Sequence, residues 1–316
     1  MEIPLKISVV IPMFNAEGTI QVPLRSLCAQ TLPPDLLELV LVDDGSTDAS
    51  VSRAERLLEG VSFRWRLLRK ARGGVSLARN RGIAEARGEY VFFLDADDSL
   101  PRDFLETVLE GLESKRADLA WIWKITNPAE APASNRHPMG LHHEGMKCLE
   151  AFLREPKNAQ IMVRRSFLDA TGIRYTEGLA YGEDFDLFVR LLLEARLVHV
   201  EDRTFYIYRK HVLQVTRTIN RVAARQATDR TFRRLSLHLE ERAVPEGVLL
   251  EMRRHAAKAR INLLREVRRA GMTELFEQLI GNPETEEAIR FAGQGLLPVK
   301  WQLRAAMLDL ARLMKG

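Results

Sequence analysis

Residues 88–101 read GEYVFFLDADDSLP, an apolar run from Tyr90 to Leu94 that ends in Asp95, Asp97 and Asp98. Five strand-forming residues in a row, entered from Gly88 and left through acids, predict a buried strand rather than a helix. Strand alternation sends Asp95 and Asp97 to the same side. No Lys or Arg lies between the three carboxylates. Two ionised carboxylates about 4 Å apart repel by roughly 4 kcal/mol at an effective dielectric near 20. Something must offset that, and a divalent cation does so: Mg²⁺ typically takes one or two carboxylates plus substrate phosphates, and Mn²⁺ also favours oxygen ligands. The competing reading is that these acids only cap turns and the helix after Pro101.

Working outward, the first 125 residues alternate strand and helix patterns. ISVVIP (7–12), LELVLVDD (37–44), FRWRLLRK (63–70) and ADLAWIWKI (117–125) read as strands. Between them, residues 18–32, 48–60, 74–88 and 101–115 have helical spacing, with Pro23 either in the first turn of its helix or kinking it. That rhythm predicts an α/β fold with a mostly parallel sheet covered by helices on both faces. Residues 126–147 read as a long loop carrying His137, His142 and His143. Trp121 and Trp123, flanking Ile122, read as packing residues. After residue 220 the pattern becomes long and helical, so the chain divides into 1–220 and a helical extension, 221–316.

In open α/β sheets ligands bind beyond the carboxyl ends of the strands. IPMFNAEG (11–18), VDDGSTD (42–48) and LDADD (94–98) all fall there, so Asp43 and Asp44 are expected beside Asp95, Asp97 and Asp98. GGVSLARN (73–80) adds exposed amides and Arg79, suited to phosphate or base contacts. It is no Walker loop, and no G-x-G-x-x-G follows the first strand. GEDFDLFVRLL (182–192) opens a helix on Glu183 and Asp184, where the dipole favours anions.

Taken in order, these motifs resemble the family 2 inverting glycosyltransferases of the GT-A fold, over roughly residues 6 to 218. The resemblance rests on SVVIPMFNAEGTI, SLCAQT, LVDDGSTD, GVSLARNRGIAEARGEYVFFLDADD, GEDFDLFVRLL and YRKH. It implies that Pro12, Phe14 and Glu17 line the base and ribose of a nucleotide, and that Asp44 hydrogen-bonds the base. It implies that Arg79 lies near the nucleotide. Asp95-Ala96-Asp97 matches the D-x-D motif, with Asp95 toward the ribose and Asp97 on a metal bridging the diphosphate, Mn²⁺ or Mg²⁺. Glu183-Asp184 matches the family's acidic pair, with Asp184 the general base and Glu183 near the acceptor or donor sugar. His211 matches a downstream histidine that completes the metal site in some members.

The function so implied is metal-dependent, inverting transfer from a nucleotide-diphosphate sugar, a UDP-sugar by resemblance, to a saccharide or lipid-linked acceptor of bacterial envelope polysaccharide type. A sugar-nucleotide nucleotidyltransferase is the alternative enzyme, but IPMFNAEG stands where that class resembles L-x-G-G-x-G-x-R. A non-catalytic protein keeping the fold is the third reading, and intact Asp97 and Asp184 oppose it.

The chain carries 47 Lys+Arg against 43 Asp+Glu, but the balance is uneven. Residues 1–220 sum to −2 and residues 221–316 to +6. The basic C-terminal helices suit packing on the catalytic domain, oligomer contacts, or docking on an anionic membrane surface. Leu303, Met307, Leu310 and Met314 form an apolar row there. Nucleic acid is not an expected partner, because the acidic rim would oppose it. Two cysteines, no signal-peptide layout and no bilayer-length apolar run point to a reducing, cytoplasmic location, with the inner membrane face as a peripheral site.

Overall fold

The computed structural model describes residues 4–126, 142–154, 159–179, 181–209 and 220–313. His137, His211 and Met314 lie outside the described residues, as does the side chain of Leu310. The chain divides into two compact units. The first comprises residues 1–178 and 187–211, and the second comprises 179–186 and 212–316. The short segment Leu179–Asp186, which carries Glu183 and Asp184, is therefore grouped with the C-terminal helices.

The first unit is built on eight strands: β1 (Ile7–Met13), β2 (Leu37–Asp43), β3 (Arg64–Arg69), β4 (Tyr90–Phe93), β5 (Leu119–Ile125), β6 (His142–His143), β7 (Ala159–Arg164) and β8 (Val198–Ile207). Their order in the sheet is β3-β2-β1-β4-β7-β5-β8-β6. β1, β2, β3 and β4 pair in parallel, as do β5 and β8. β7 is inserted antiparallel to both β4 and β5, and β6 is antiparallel to β8. Within the expected loop 126–147, the described residues His142 and His143 form a strand, β6.

Among the described residues, the α-helices that lie wholly within this unit are α1 (Gln21–Cys28), α2 (Ser50–Leu58), α3 (Val75–Glu85), α4 (Phe104–Lys115), α5 (Gly145–Arg154) and α6 (Arg165–Thr171). β2 and β4 are buried at every position, as strands covered on both faces require. The core joins Ile7, Val9 and Ile11 of β1 to Leu24, Leu39, Phe92 and Phe104. Trp121 is 1% exposed and packs edge-on against Phe152 and Phe188, so it is a packing residue, as its spacing suggested. Cys28 and Cys148 are free thiols.

α7 (Glu183–Glu194) starts with three acids in its first turn. The second unit is otherwise helical: α8 (Arg221–Glu240), α9 (Glu246–Arg269), α10 (Thr273–Ile280), α11 (Pro283–Gly293) and α12 (Val299–Leu313). α8 and α9 form an antiparallel hairpin, tied by Asp229–Arg260 at 2.8 Å and Glu240–Arg253 at 2.9 Å. Ile261, Leu264 and Val267 of α9 meet Phe276, Ala288 and Leu308 in a core of its own. α10 and α11 were not resolved from the sequence pattern; Asn282 separates them and caps α11 through the Glu284 amide.

Candidate active site

Strand register brings the first three motifs to one rim. Met13 is level with Asp43, and the amide of Asp44 donates to the carbonyl of Met13 at 2.8 Å. On the other flank Val10 is level with Phe93, and the Leu94 amide donates to Val10 at 3.0 Å. Two residues further along each strand lie Pro12 and Asp95. The strands therefore end together, and their carboxyl ends carry Pro12, Asp44 and Asp95 side by side.

The two loops after β1 and β2 are laced to each other. Asn15 accepts from the Thr47 amide at 2.9 Å and its own amide donates to Ser46 Oγ at 3.0 Å. Glu17 accepts from the Ala49 amide at 3.0 Å, while Asp48 accepts from the Glu17 amide at 3.1 Å. Glu17 thus spends one carboxylate oxygen on the start of α2, a structural duty beside the ribose contact the resemblance implies. Phe14 is 37% exposed, and the Arg72 guanidinium lies 3.3 Å from its ring centroid. Gly45 takes φ +81°, and a Cβ there would stand 3.0 Å from the Arg72 amide nitrogen. Only glycine fits this crossing without strain.

Asp44 is buried and already engaged. It accepts from Lys70 Nζ, from the Gly73 amide at 2.9 Å and from the Gly74 amide at 2.8 Å. Burial pushes its carboxyl up, but the Lys70 hydrogen bond and the two amides outweigh it and hold the pKa below the usual carboxylate range. The glycine loop before α3 is thereby fixed to the end of β2. Gly82 in turn lets α3 sit close on the sheet, since a Cβ there would meet Val10 Cγ1 at 2.2 Å. One turn earlier on that helix, Arg79 is brought to the rim.

Arg79 is 4% exposed and donates to Asp95 Oδ1 at 2.7 Å, while its guanidinium stacks over Tyr175 at 4.9 Å. Asn80 clamps the backbone of Tyr175 from both sides, donating at 2.9 Å and accepting at 2.8 Å. Burial raises the Asp95 carboxyl, but Arg79 and Lys124 pull it below its ordinary value. Its amide donates to the Tyr206 hydroxyl at 3.0 Å. The sequence segment holds no basic residue between its acids, yet the fold supplies two from elsewhere. The rim is therefore less starkly negative than the acids alone suggest.

Asp98 carries the residual charge conflict. It is fully buried, and burial together with the charges of Asp95 and Asp97 pushes its carboxyl up to about 7, against the hydrogen bond from the Arg209 amide. That amide lies 2.9 Å from Asp98 Oδ1, and Ser99 and Ile207 exchange two backbone hydrogen bonds of 3.1 Å. The end of β8 and Arg209 are thus pinned beside the acidic turn. Among the described residues no cluster of three or more His, Cys, Asp or Glu is arranged as a complete metal cage. Two carboxylates plus phosphate oxygens is a common Mg²⁺ set, so the acidic turn, with its raised Asp98, fits a cation shared with a ligand.

The second unit holds the Gly182-Glu183-Asp184 turn. Thr231 Oγ1 shares its proton between the Ala227 carbonyl at 3.0 Å and the Tyr181 carbonyl at 3.3 Å, Asp186 pairs with Arg234, and Phe185 packs against Phe232 with ring centroids 4.8 Å apart. Gly182 has φ +79°. The acidic pair is thus bolted to α8 rather than left on a free loop.

Sequence reasoning missed Lys70, Arg72, Lys124 and Tyr206. Lys70 and Lys124 lie at or near the ends of strands whose alternation was legible, but nothing local says which carboxylate each faces.

Comparison with known proteins decides the family. The profile of Glycosyl transferase family 2 matches residues 8–215. The chain belongs to glycosyltransferase family 2. The glycosyltransferase EpsJ of Bacillus subtilis is 28% identical over 224 residues, which is 68% of this chain and 63% of that protein. The chain thus matches less than two thirds of that relative's length. The structure of Staphylococcus aureus TarS 1–349 in complex with UDP-GlcNAc superposes with a TM-score of 0.70 at 19% identity, covering 98% of this chain and 89% of that one. The mannosyltransferase PcManGT of Pyrobaculum calidifontis, in complex with GDP-Man and Mn²⁺, gives 0.62 at 16% identity, covering 99% and 87%. These likenesses establish the GT-A architecture of the family 2 chain: a mixed, largely parallel sheet flanked by helices.

Proposed function

We propose that this family 2 chain transfers a sugar from a nucleotide-diphosphate sugar, with UDP the favoured nucleotide, to a hydroxyl of a saccharide or lipid-linked saccharide, inverting the anomeric centre. The observation that carries the reading is the shared rim, where Asp44 clamped by Lys70 and Asp95 clamped by Arg79 stand at the ends of the two strands that flank β1. TarS holds UDP-GlcNAc in one structure and PcManGT holds GDP-Man with Mn²⁺ in another, which supports a nucleotide-sugar donor.

In this reading Pro12, Phe14 and Glu17 border the base and ribose, Asp44 and Arg79 orient the nucleotide, and Asp95-Ala96 faces the ribose. A divalent cation, Mn²⁺ or Mg²⁺, held by Asp97 with His211 as a further candidate, would neutralise the diphosphate as it leaves. The acceptor oxygen forms its bond to the anomeric carbon as the bond to the diphosphate oxygen breaks. Asp184 takes the acceptor's proton in that step, and Glu183 orients a sugar hydroxyl. Attack opposite the leaving group inverts the centre.

α12 leaves Val299, Leu303 and Met307 between 63% and 68% exposed, at four-residue intervals, with Lys300 and Arg304 beside them. That row supports peripheral contact with the inner face of a membrane from the cytoplasm. No helix among the described residues is long and apolar enough to cross one.

The test is a screen of nucleotide sugars with and without Mn²⁺, reading binding and slow hydrolysis. One donor should bind in a cation-dependent way that Asp97→Ala abolishes. Asp184→Asn should keep donor affinity and lose transfer by at least about 100-fold, the scale of a missing general base. Donor binding indifferent to both cation and Asp97, or full transfer by Asp184→Asn, overturns the assignment.

A further inference from the structure

The α8–α9 hairpin has two grooves along it, both lined with arginines, and they are treated differently. In the groove toward the hairpin turn, Arg233 pairs with Glu284 at 2.6 Å, Arg253 with Glu240 at 2.9 Å and Arg260 with Asp229 at 2.8 Å. Every guanidinium in that groove meets a carboxylate. The groove at the open end has a volume of about 620 Å³ and is lined by Arg221 and Arg225 of α8 and by Arg265 and Arg269 of α9. Among the described residues none of these four makes an ion pair, although Glu266 also lines the groove. Each pair is spaced i, i+4 on its helix, so like charges are neighbours that repel.

Two further features mark the open-end groove. Its wall includes Asn262 and Thr228, which add polar groups, and Tyr181. The Tyr181 carbonyl lies 3.3 Å from the Thr231 hydroxyl of α8, and Gly182, Glu183 and Asp184 follow Tyr181 directly in the chain. The arginine groove and the acidic pair thus belong to one unit, and Tyr181, which lines the groove, stands two residues before Glu183 in the chain. Guanidinium forks are matched to phosphate oxygens, and four around one groove exceed what a neutral sugar needs. The volume exceeds a lone phosphate and accommodates a phosphorylated sugar or polyol unit.

We propose that this groove is an acceptor subsite, and that the acceptor carries a phosphate ester which Arg221, Arg225, Arg265 and Arg269 bind. The inference rests on the reading of Asp184 as the acceptor base. It narrows the acceptor class to anionic, phosphate-bearing molecules. The phosphate is assigned to a soluble or polymeric ester rather than to a bilayer surface, because Thr228, Asn262 and Tyr181 line the groove with hydrogen-bonding groups and no large apolar side chain is among its lining residues. Arg265 and Arg269 also border a neighbouring cleft with Arg304 and Met307 of α12, which is why vesicles form a separate arm of the test.

The test uses the full chain saturated with UDP and Mn²⁺, so that the donor side is occupied. Glycerol 3-phosphate is titrated by calorimetry or by ligand-observed NMR, and vesicles containing phosphatidylglycerol are assayed separately by co-sedimentation. Saturable binding of glycerol 3-phosphate at one site is expected, weakened at least about 10-fold in Arg225→Gln/Arg269→Gln and less in Arg225→Lys/Arg269→Lys. Arg290→Gln, at an exposed arginine outside the groove, should bind as the unaltered protein does. UDP affinity and thermal unfolding should be the same in all four proteins. Equal glycerol 3-phosphate binding by the glutamine double variant, or binding of vesicles alone, overturns the subsite. Loss of UDP binding in the unaltered protein would instead defeat the donor assignment, so the two failures are distinguishable.

Discussion

Replacing Asp98 by Asn tests whether the acidic turn stores unrelieved charge. Asp98 is fully buried and its carboxyl is raised from 3.8 to about 7 by burial and by Asp95 and Asp97. A carboxyl raised in this way holds a proton in the folded state that the unfolded chain has already released. Folding stability therefore falls as pH rises from about 4 to about 7, and levels off above that. The shift is roughly 3 units at about 1.4 kcal/mol each, so the full penalty at pH 8 is on the order of 4 kcal/mol. Asparagine keeps an Oδ1 acceptor for the Arg209 amide, now 2.9 Å away, and cannot ionise. Urea unfolding with EDTA present, at pH 5, 6, 7 and 8, would compare the two proteins. The stability difference should move in favour of Asp98→Asn by roughly 2–3 kcal/mol between pH 5 and 8, most of it below pH 7. Parallel pH dependences in the two proteins would refute the claim that Asp98 is the group carrying the conflict.

Two other substitutions probe the supports of the site. Gly45→Ala forces a β-carbon into a φ of +81° and to within 3.0 Å of the Arg72 amide nitrogen; a loss of about 1–3 kcal/mol is expected, read by thermal unfolding, with weaker UDP binding measured alongside. Unchanged unfolding would show that the crossing relaxes freely. Arg234→Met leaves Asp186, which is fully buried, without its guanidinium. Because Arg234 is 45% exposed and water can reach the gap, the loss should be about 2 kcal/mol rather than the 3–5 of a sealed pair. It should be recovered in part by Asp186→Asn in the same protein, as a double-mutant cycle in urea would show.

What the amino-acid sequence determined by itself was the succession of strands and helices in the parallel core and the chemistry placed at its edge. Apolar runs such as ISVVIP and YVFFL report burial on both faces, and burial is a property of each segment alone. The acids at Asp44, Asp95 and Asp97 were legible because each follows such a run. The antiparallel β7 between β4 and β5 was not legible, since strand order is settled by hydrogen bonding between segments distant in the chain. The partners of the acids were hidden for the same reason. Asp44 finds Lys70, and Asp95 finds Arg79 and the field of Lys124, only after register sets which side chains share a rim. A carboxylate's charge is written in the sequence, but its potential depends on every charge within a few ångströms, and that neighbourhood exists only in the fold. The uncompensated arginines of the α8–α9 groove show the same thing from the cationic side. Their i, i+4 spacing is local, whereas the absence of an ion pair to any of them among the described residues follows from the way the two helices pair.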